Sequence, residues 1–127
     1  MKKILYSKLL AIALVTFFSP MSLAADNASA TKTIAATLIN LNHFPSDAEK
    51  AELNALADDD GVGRAFRAVA SAVANIQHAA TAEDKEIMNR IIASNRAHAN
   101  AKLFAAILLE LNHVADEAVK ARLQDLL

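Results

Sequence analysis

The sequence predicts an all-α protein: three tandem helical hairpins of a 35-residue repeat, forming a short α-solenoid or a compact six-helix bundle after a cleaved signal peptide. Two observations lead to this expectation. Of the 127 residues, 54% are hydrophobic and only two are Gly and two are Pro, a composition that favours helices. In addition, the chain aligns with itself when it is shifted by 35 residues.

The self-alignment matches three segments, which are residues 34–56, 69–91 and 104–126. Apolar residues recur in register at a helical spacing of three or four, which places them on one face of each helix. The five apolar sets are Ile34/Val69/Phe104, Leu38/Val73/Leu108, Leu41/Ile76/Leu111, Leu53/Met88/Leu123 and Leu56/Ile91/Leu126. Three sets are identical in all copies: Ala35/Ala70/Ala105, His43/His78/His113 and Lys50/Lys85/Lys120. Because one hairpin cannot bury its apolar face alone, neighbouring units are expected to pack on one another.

The first 24 residues have the three parts of a secretory signal peptide. A lysine-rich start leads into an apolar run over residues 9–18, and the small residues Ser22 and Ala24 predict cleavage before Ala25. The run is about half the ~20 residues of a membrane-spanning helix, although an uncleaved anchor is the alternative. The expected product is periplasmic or secreted, with no membrane contact after cleavage. The predicted domains are therefore residues 1–24 and 25–127, the second with repeats near 31–62, 63–97 and 98–127.

Six helices are expected in the exported part. Each 35-residue unit contains two apolar segments with helical periodicity, and a helix stop separates one unit from the next. The stops are at Asp60-Gly61 and at Ser94-Asn95. The helices are predicted near residues 31–42, 47–58, 63–78, 82–93, 96–113 and 117–126.

A turn separates the two helices of each unit. In the first unit, Asn42 tolerates the left-handed conformation of a helix end, and Pro45 prevents the helix from continuing. Ser46 and Glu49 form the pattern of a capping box, in which each side chain accepts a hydrogen bond from the other residue's backbone N–H. The equivalent caps of the other two units are Thr81 and Asp116.

Charge and composition exclude several functions. Residues 1–24 contain three of the 13 basic residues and none of the 14 acidic ones, so the exported part has a net charge of −4. An acidic chain with few aromatic residues is not expected to bind nucleic acid. No Gly-rich phosphate loop, nucleophile elbow or zinc-protease motif is present, and we therefore expect no enzyme.

The repeated histidines His43, His78 and His113 are the candidate metal ligands, since imidazole binds zinc and copper. Repeats stacked at ~10 Å per step would separate His43 from His113 by about 20 Å, which is too far for the three to share one ion. The structural alternative is that each histidine ends a helix, donates to its free carbonyl groups or to the adjoining turn, and is stabilised by the negative end of the helix dipole. We therefore expect no cofactor, with zinc or copper as the alternative. His98 lies outside the repeat register and is expected at the surface.

The C-terminal helix ends in Leu123, Leu126 and Leu127, with no further helix to cover them. These leucines either fold inward or contact a partner. The sequence thus favours a non-catalytic exported interaction or adaptor protein. Its partner would be another protein or a second copy of the chain, contacted through a helical face or this C-terminal edge. The alternative function is periplasmic binding of zinc or copper by the repeated histidines.

Overall fold

The computed structural model describes residues 26–127 of the chain, and this part contains six helices. Helix α1 covers residues 26–40. It is followed by α2 (Asp47–Asp58), α3 (Arg64–Ala74), α4 (Ala82–Ala93), α5 (Ala99–Glu110) and α6 (Glu117–Gln124). No strand occurs in residues 26–127, so the all-helical class is confirmed. The predicted signal peptide, residues 1–24, lies outside the described residues.

The N-terminal caps of α2, α4 and α6 are those that the sequence predicts. The Ser46 hydroxyl accepts from the Glu49 backbone N–H at 3.2 Å, and the Glu49 carboxylate accepts from the Ser46 N–H at 2.8 Å. Each bond satisfies a backbone donor that the first helical turn leaves free. The corresponding side-chain caps are Thr81 to the Asp84 N–H at 3.1 Å and Asp116 to the Val119 N–H at 2.8 Å.

Four helices end earlier than the sequence predicts. Helices α1 and α6 end two residues early, at residue 40 and at Gln124. Helices α3 and α5 were expected to continue to residues 78 and 113, but they end at Ala74 and Glu110. His78 and His113 have φ values of 72° and 69°, and a right-handed helix cannot contain residues with this backbone conformation. The left-handed residue of the first turn is likewise His43, with φ 69°, and not Asn42 as the sequence analysis expected.

The helices pair differently from the predicted hairpins. The closest packing among α2 to α6 is between α2 and α3 and between α4 and α5, whereas α3 and α4, expected to form one hairpin, contact each other much less. The α2–α3 connection reverses the chain tightly and buries Val62, which is 1% exposed. It is also tied to α1, because the Gly63 N–H donates to Asn27 Oδ1 at 2.7 Å. Helices α3 and α4, on either side of the second histidine turn, are thus held mainly by other helices.

One hydrophobic core joins all six helices. Ala35, Ala70 and Ala105 on α1, α3 and α5 are fully buried, and α3 packs directly against α5. Small residues at these positions allow helix axes to approach closely. The first four apolar sets of the self-alignment are entirely buried: Ile34/Val69/Phe104, Leu38/Val73/Leu108, Leu41/Ile76/Leu111 and Leu53/Met88/Leu123. Within the described residues, none of the helices has both the length and the apolar character required to cross a membrane.

The end of the chain lies close to α1. Leu126 lines the same shallow cleft as Asn27 and Thr31 of α1 and Phe66 of α3. Leu127 lines a neighbouring cleft together with Ala36 of α1. The helices therefore form a bundle in which the last helix ends against the first, and this is the compact one of the two arrangements that the sequence left open.

Candidate metal site

Three turns converge at one end of the bundle, and each has a histidine at its centre. His43 follows α1, His78 follows α3 and His113 follows α5, with φ values of 69°, 72° and 69°. Positive φ is uncommon for residues other than glycine, and the left-handed conformation costs about 1–2 kcal/mol per residue. Such backbone outliers concentrate at functional sites. All three histidines are therefore held in a conformation that another residue would adopt at lower cost.

The three turns are joined by a closed ring of backbone hydrogen bonds. The His43 N–H donates to the carbonyl oxygen of His113 at 3.0 Å, and the His78 N–H donates to that of His43 at 2.7 Å. The His113 N–H completes the ring by donating to the carbonyl oxygen of His78. Each histidine thus contributes one donor and one acceptor. The ring fixes the three backbones next to one another, although 35 residues of chain separate His43 from His78.

Short local bonds shape the turns around this ring. The Phe44 N–H donates to the Asn42 carbonyl at 2.8 Å, and the Val114 N–H donates to the Asn112 carbonyl at 2.9 Å. A bond between residues two apart, around a central residue of positive φ, is typical of a γ-turn. In the middle turn the direction of the hydrogen bond is reversed, because the residue before the histidine is the donor. The Gln77 N–H donates to the Ala79 carbonyl at 3.3 Å.

The imidazole rings form a compact cluster beside the backbone ring. Their centroids are 5.1 Å apart for His43 and His78, 5.1 Å for His43 and His113, and 4.9 Å for His78 and His113. One nitrogen from each ring lies within 4.8 Å of the other two. In residues 26–127 this is the one group of three or more His, Cys, Asp or Glu side chains close enough to hold a metal ion.

The nitrogen positions fit the dimensions of a metal centre. Nδ1 of His43 and Nδ1 of His78 are 3.3 Å apart. Zinc–nitrogen bonds of 2.0–2.1 Å in a tetrahedral site place ligand nitrogens about 3.3–3.4 Å from each other. One pair therefore already has the required separation. His113 also presents a ring nitrogen that lies within 4.8 Å of one nitrogen on each of the other two rings.

A hydrogen bond with Asn112, which lies outside the cluster, orients the imidazole ring of His113. Nδ1 of His113 is 2.6 Å from Oδ1 of Asn112, and an amide oxygen can only accept, so the His113 Nδ1 carries the proton. In the neutral ring, Nε2 then keeps the lone pair that binds a metal. Ligating histidines commonly donate their other N–H to a carbonyl or carboxylate in this way. This role of Asn112 was not predicted from the sequence, although a residue with an amide side chain directly precedes each of the three histidines.

The electrostatic surroundings favour a cation. Helices α1, α3 and α5 end three or four residues before their histidines, so their C-terminal ends lie close to the cluster. Helix C-termini carry a partial negative charge of about half an elementary charge. His43 is half-buried, and His78 and His113 are exposed, so the cluster opens to solvent. An ion can therefore enter from solvent.

The expected 20 Å separation of His43 and His113 is wrong. It assumed that units are translated along a stack, whereas the units bring their turns to one point and the two imidazole centroids are 5.1 Å apart. The objection that the three histidines cannot share one ion therefore falls. The structural interpretation allowed side-chain contacts with the free helix carbonyls or with the adjoining turn. The hydrogen bonds of the described residues include one of the second kind, between Nδ1 of His113 and Oδ1 of Asn112, and none of the first.

The other residues singled out in the sequence lie elsewhere. His98 is exposed, as expected, and its Nδ1 caps α5 by accepting from the Asn100 N–H at 3.0 Å. Leu123 is fully buried, Leu126 packs partly buried against the core, and Leu127 is 56% exposed. The exposed part of the predicted C-terminal edge is therefore Leu127. Leu123 contributes to folding.

Comparison of the chain with protein-family models, with curated proteins and with solved structures gives no match. The three-histidine cluster is therefore interpreted from its own geometry and chemistry.

Proposed function

We propose that this protein binds one transition-metal ion, zinc or copper, through His43, His78 and His113. The observation that carries the proposal is the convergence of three imidazoles from separate turns, with one nitrogen of each within 4.8 Å of the others. Neutral imidazole nitrogen is a preferred ligand of both metals. The helix C-termini around the cluster add a favourable potential for a cation.

A purely structural role explains less of the same geometry. The backbone ring uses only N–H and carbonyl groups, which glycine or asparagine would supply with less strain at positive φ. The imidazole side chains are not needed for that ring. Their presence in all three turns, on one face of the backbone ring, supports a role for the side chains themselves.

The proposal also covers the repeat that builds the site. We propose that the site is built by three copies of a 35-residue unit, each contributing one helix–histidine–helix turn. The spacing of the histidines and the burial of the aligned apolar residues support this interpretation. We also propose that residues 1–24 are a signal peptide and that the protein acts as a binding protein, without catalysis, in the periplasm or outside the cell.

Isothermal titration calorimetry with Zn²⁺ tests the metal proposal. Since residues 26–127 share one core, the chain from residue 25 onward is the material to use. We expect one ion per chain, with a Kd on the order of 1 µM or tighter, which corresponds to about −8 kcal/mol. Absence of binding heat, together with an unchanged melting temperature in zinc, would overturn the proposal.

Two variants separate the cluster from other histidines. His78→Asn removes one ligand while keeping a residue that tolerates positive φ. Removal of a residue that only orients a metal ligand typically weakens metal binding by roughly 10–100-fold. We expect His78→Asn to weaken zinc binding by more than this, because it removes a ligand itself. His98→Asn is the matched control, because Asn is also a good N-cap and His98 lies at the other end of α5 from His113. Equal affinities in the two variants would contradict the assignment.

Interaction with a protein partner is the second candidate function. It is supported by Leu127, which is 56% exposed at the predicted C-terminal edge. If this edge mediates self-association, light scattering of the metal-free protein detects a dimer or larger species, and Leu127→Asp reduces it. A protein that stays monomeric at all concentrations would exclude self-association through this edge.

A further inference from the structure

The three-histidine cluster is an incomplete coordination shell. Zinc in proteins is almost always four-coordinate, and three histidines provide three ligands. In the described part of the chain, no fourth His, Cys, Asp or Glu belongs to the group. Sites with three protein ligands keep the fourth position for water or another exogenous molecule.

The open side of the cluster faces solvent. The backbone hydrogen-bond ring joins the three histidines, and two of the three imidazoles are exposed. A fourth ligand can therefore arrive from solvent.

The charge of the centre favours an anion. Three neutral imidazoles leave the charge of a divalent ion uncompensated, and no carboxylate is part of the cluster. One acidic side chain after each turn is engaged elsewhere, because the carboxylates of Glu49, Asp84 and Asp116 accept hydrogen bonds at the starts of α2, α4 and α6.

We propose that the metal-loaded site binds a small monodentate anion as its fourth ligand. This inference rests on the proposed metal function. Azide and thiocyanate coordinate through nitrogen or sulfur, donor types that suit borderline-soft Zn²⁺, whereas fluoride is a hard anion. The site should therefore bind azide and thiocyanate more tightly than fluoride.

Cobalt provides the test, since the visible absorption of Co²⁺ reports its geometry and ligands. The chain from residue 25 onward is loaded with Co²⁺ and titrated with azide, thiocyanate and fluoride at constant ionic strength, with perchlorate as the inert salt. We expect a saturable spectral change with azide and thiocyanate, with fluoride requiring at least a tenfold higher concentration. The His98→Asn protein should respond identically.

The outcomes distinguish the two proposals. If calorimetry detects no binding of Co²⁺ or Zn²⁺, the proposed function itself fails. If Co²⁺ binds but azide and thiocyanate leave the spectrum unchanged, the metal site stands and the anion inference is overturned. A Co²⁺-dependent dimer by light scattering, with no spectral response to anions, would assign the fourth ligand to a second copy and would also overturn the inference.

Discussion

The backbone N–H of His78 donates to the carbonyl oxygen of His43 at 2.7 Å, which joins two turns that 35 residues separate in the chain. The same type of bond links His113 to His78 and His43 to His113. These bonds need no particular side chain. The turns therefore position the imidazoles, and the backbone role of each histidine can be separated experimentally from its ligand role.

The first prediction separates the backbone role of His78 from its role as a metal ligand. Without metal, His78→Asn should change the free energy of unfolding by less than about 1 kcal/mol, because Asn tolerates positive φ. His78→Val should destabilise the protein by about 1–2 kcal/mol or more, since a β-branched residue is strained at φ 72°. Urea denaturation with chelator present measures both. If Asn proved as destabilising as Val, the imidazole itself would be part of the folded framework.

The second prediction concerns stabilisation by metal. Zinc at a hundred times its Kd should stabilise the folded protein by about 2.7 kcal/mol, which for a domain of this size raises the melting temperature by roughly 10 °C or more. Thermal melts followed by circular dichroism, with zinc and then with chelator, measure the shift. Magnesium is the control ion because it prefers oxygen ligands.

Acidification should remove this stabilisation. Metal and proton compete for the same imidazole nitrogens, so the zinc-induced shift falls as the pH is lowered from neutral. The sign follows from linkage, since only the unprotonated cluster binds the ion. A zinc-induced shift that persists unchanged in acid would point to carboxylate ligands and contradict the histidine site.

The third prediction tests the orienting contact of Asn112. Asn112→Ala removes the oxygen that accepts from Nδ1 of His113, and we expect a roughly 10–100-fold loss of zinc affinity. The metal-free stability should change by less than about 0.5 kcal/mol, because Asn112 is exposed and its backbone bond to Val114 remains. Calorimetry and urea denaturation give the two values. Unaltered zinc affinity would show that this contact does not orient the ligand.

The fourth prediction compares a core residue with an exposed one. Phe104 is 0% exposed, and Phe104→Ala should destabilise the protein by about 3–5 kcal/mol through lost burial and the cavity it leaves. Leu127 is 56% exposed, and Leu127→Ala should stay within about 0.5 kcal/mol of the parent. Comparable losses in the two variants would mean that the C-terminal residue packs more tightly than its exposure indicates.

Local structure was predictable to the extent that neighbouring residues determine it. The capping box of Ser46 and Glu49 was predicted correctly because it involves atoms three residues apart. The ends of α3 and α5 were placed too late, because helix-forming residues continue up to His78 and His113. The left-handed conformation that stops those helices is maintained by hydrogen bonds to distant turns, which helix propensity does not describe.

By itself, the sequence determined the helical class, the apolar face of each helix and the 35-residue spacing of the three histidines. Tertiary structure alone decided that α2 packs on α3 and that the three turns meet at one point. The physical reason is that periodicity specifies which face of a helix is buried but not the direction in which the next unit is placed. Translation along a stack would separate the imidazoles, whereas closure of the bundle brings the centroids of His43 and His113 to 5.1 Å.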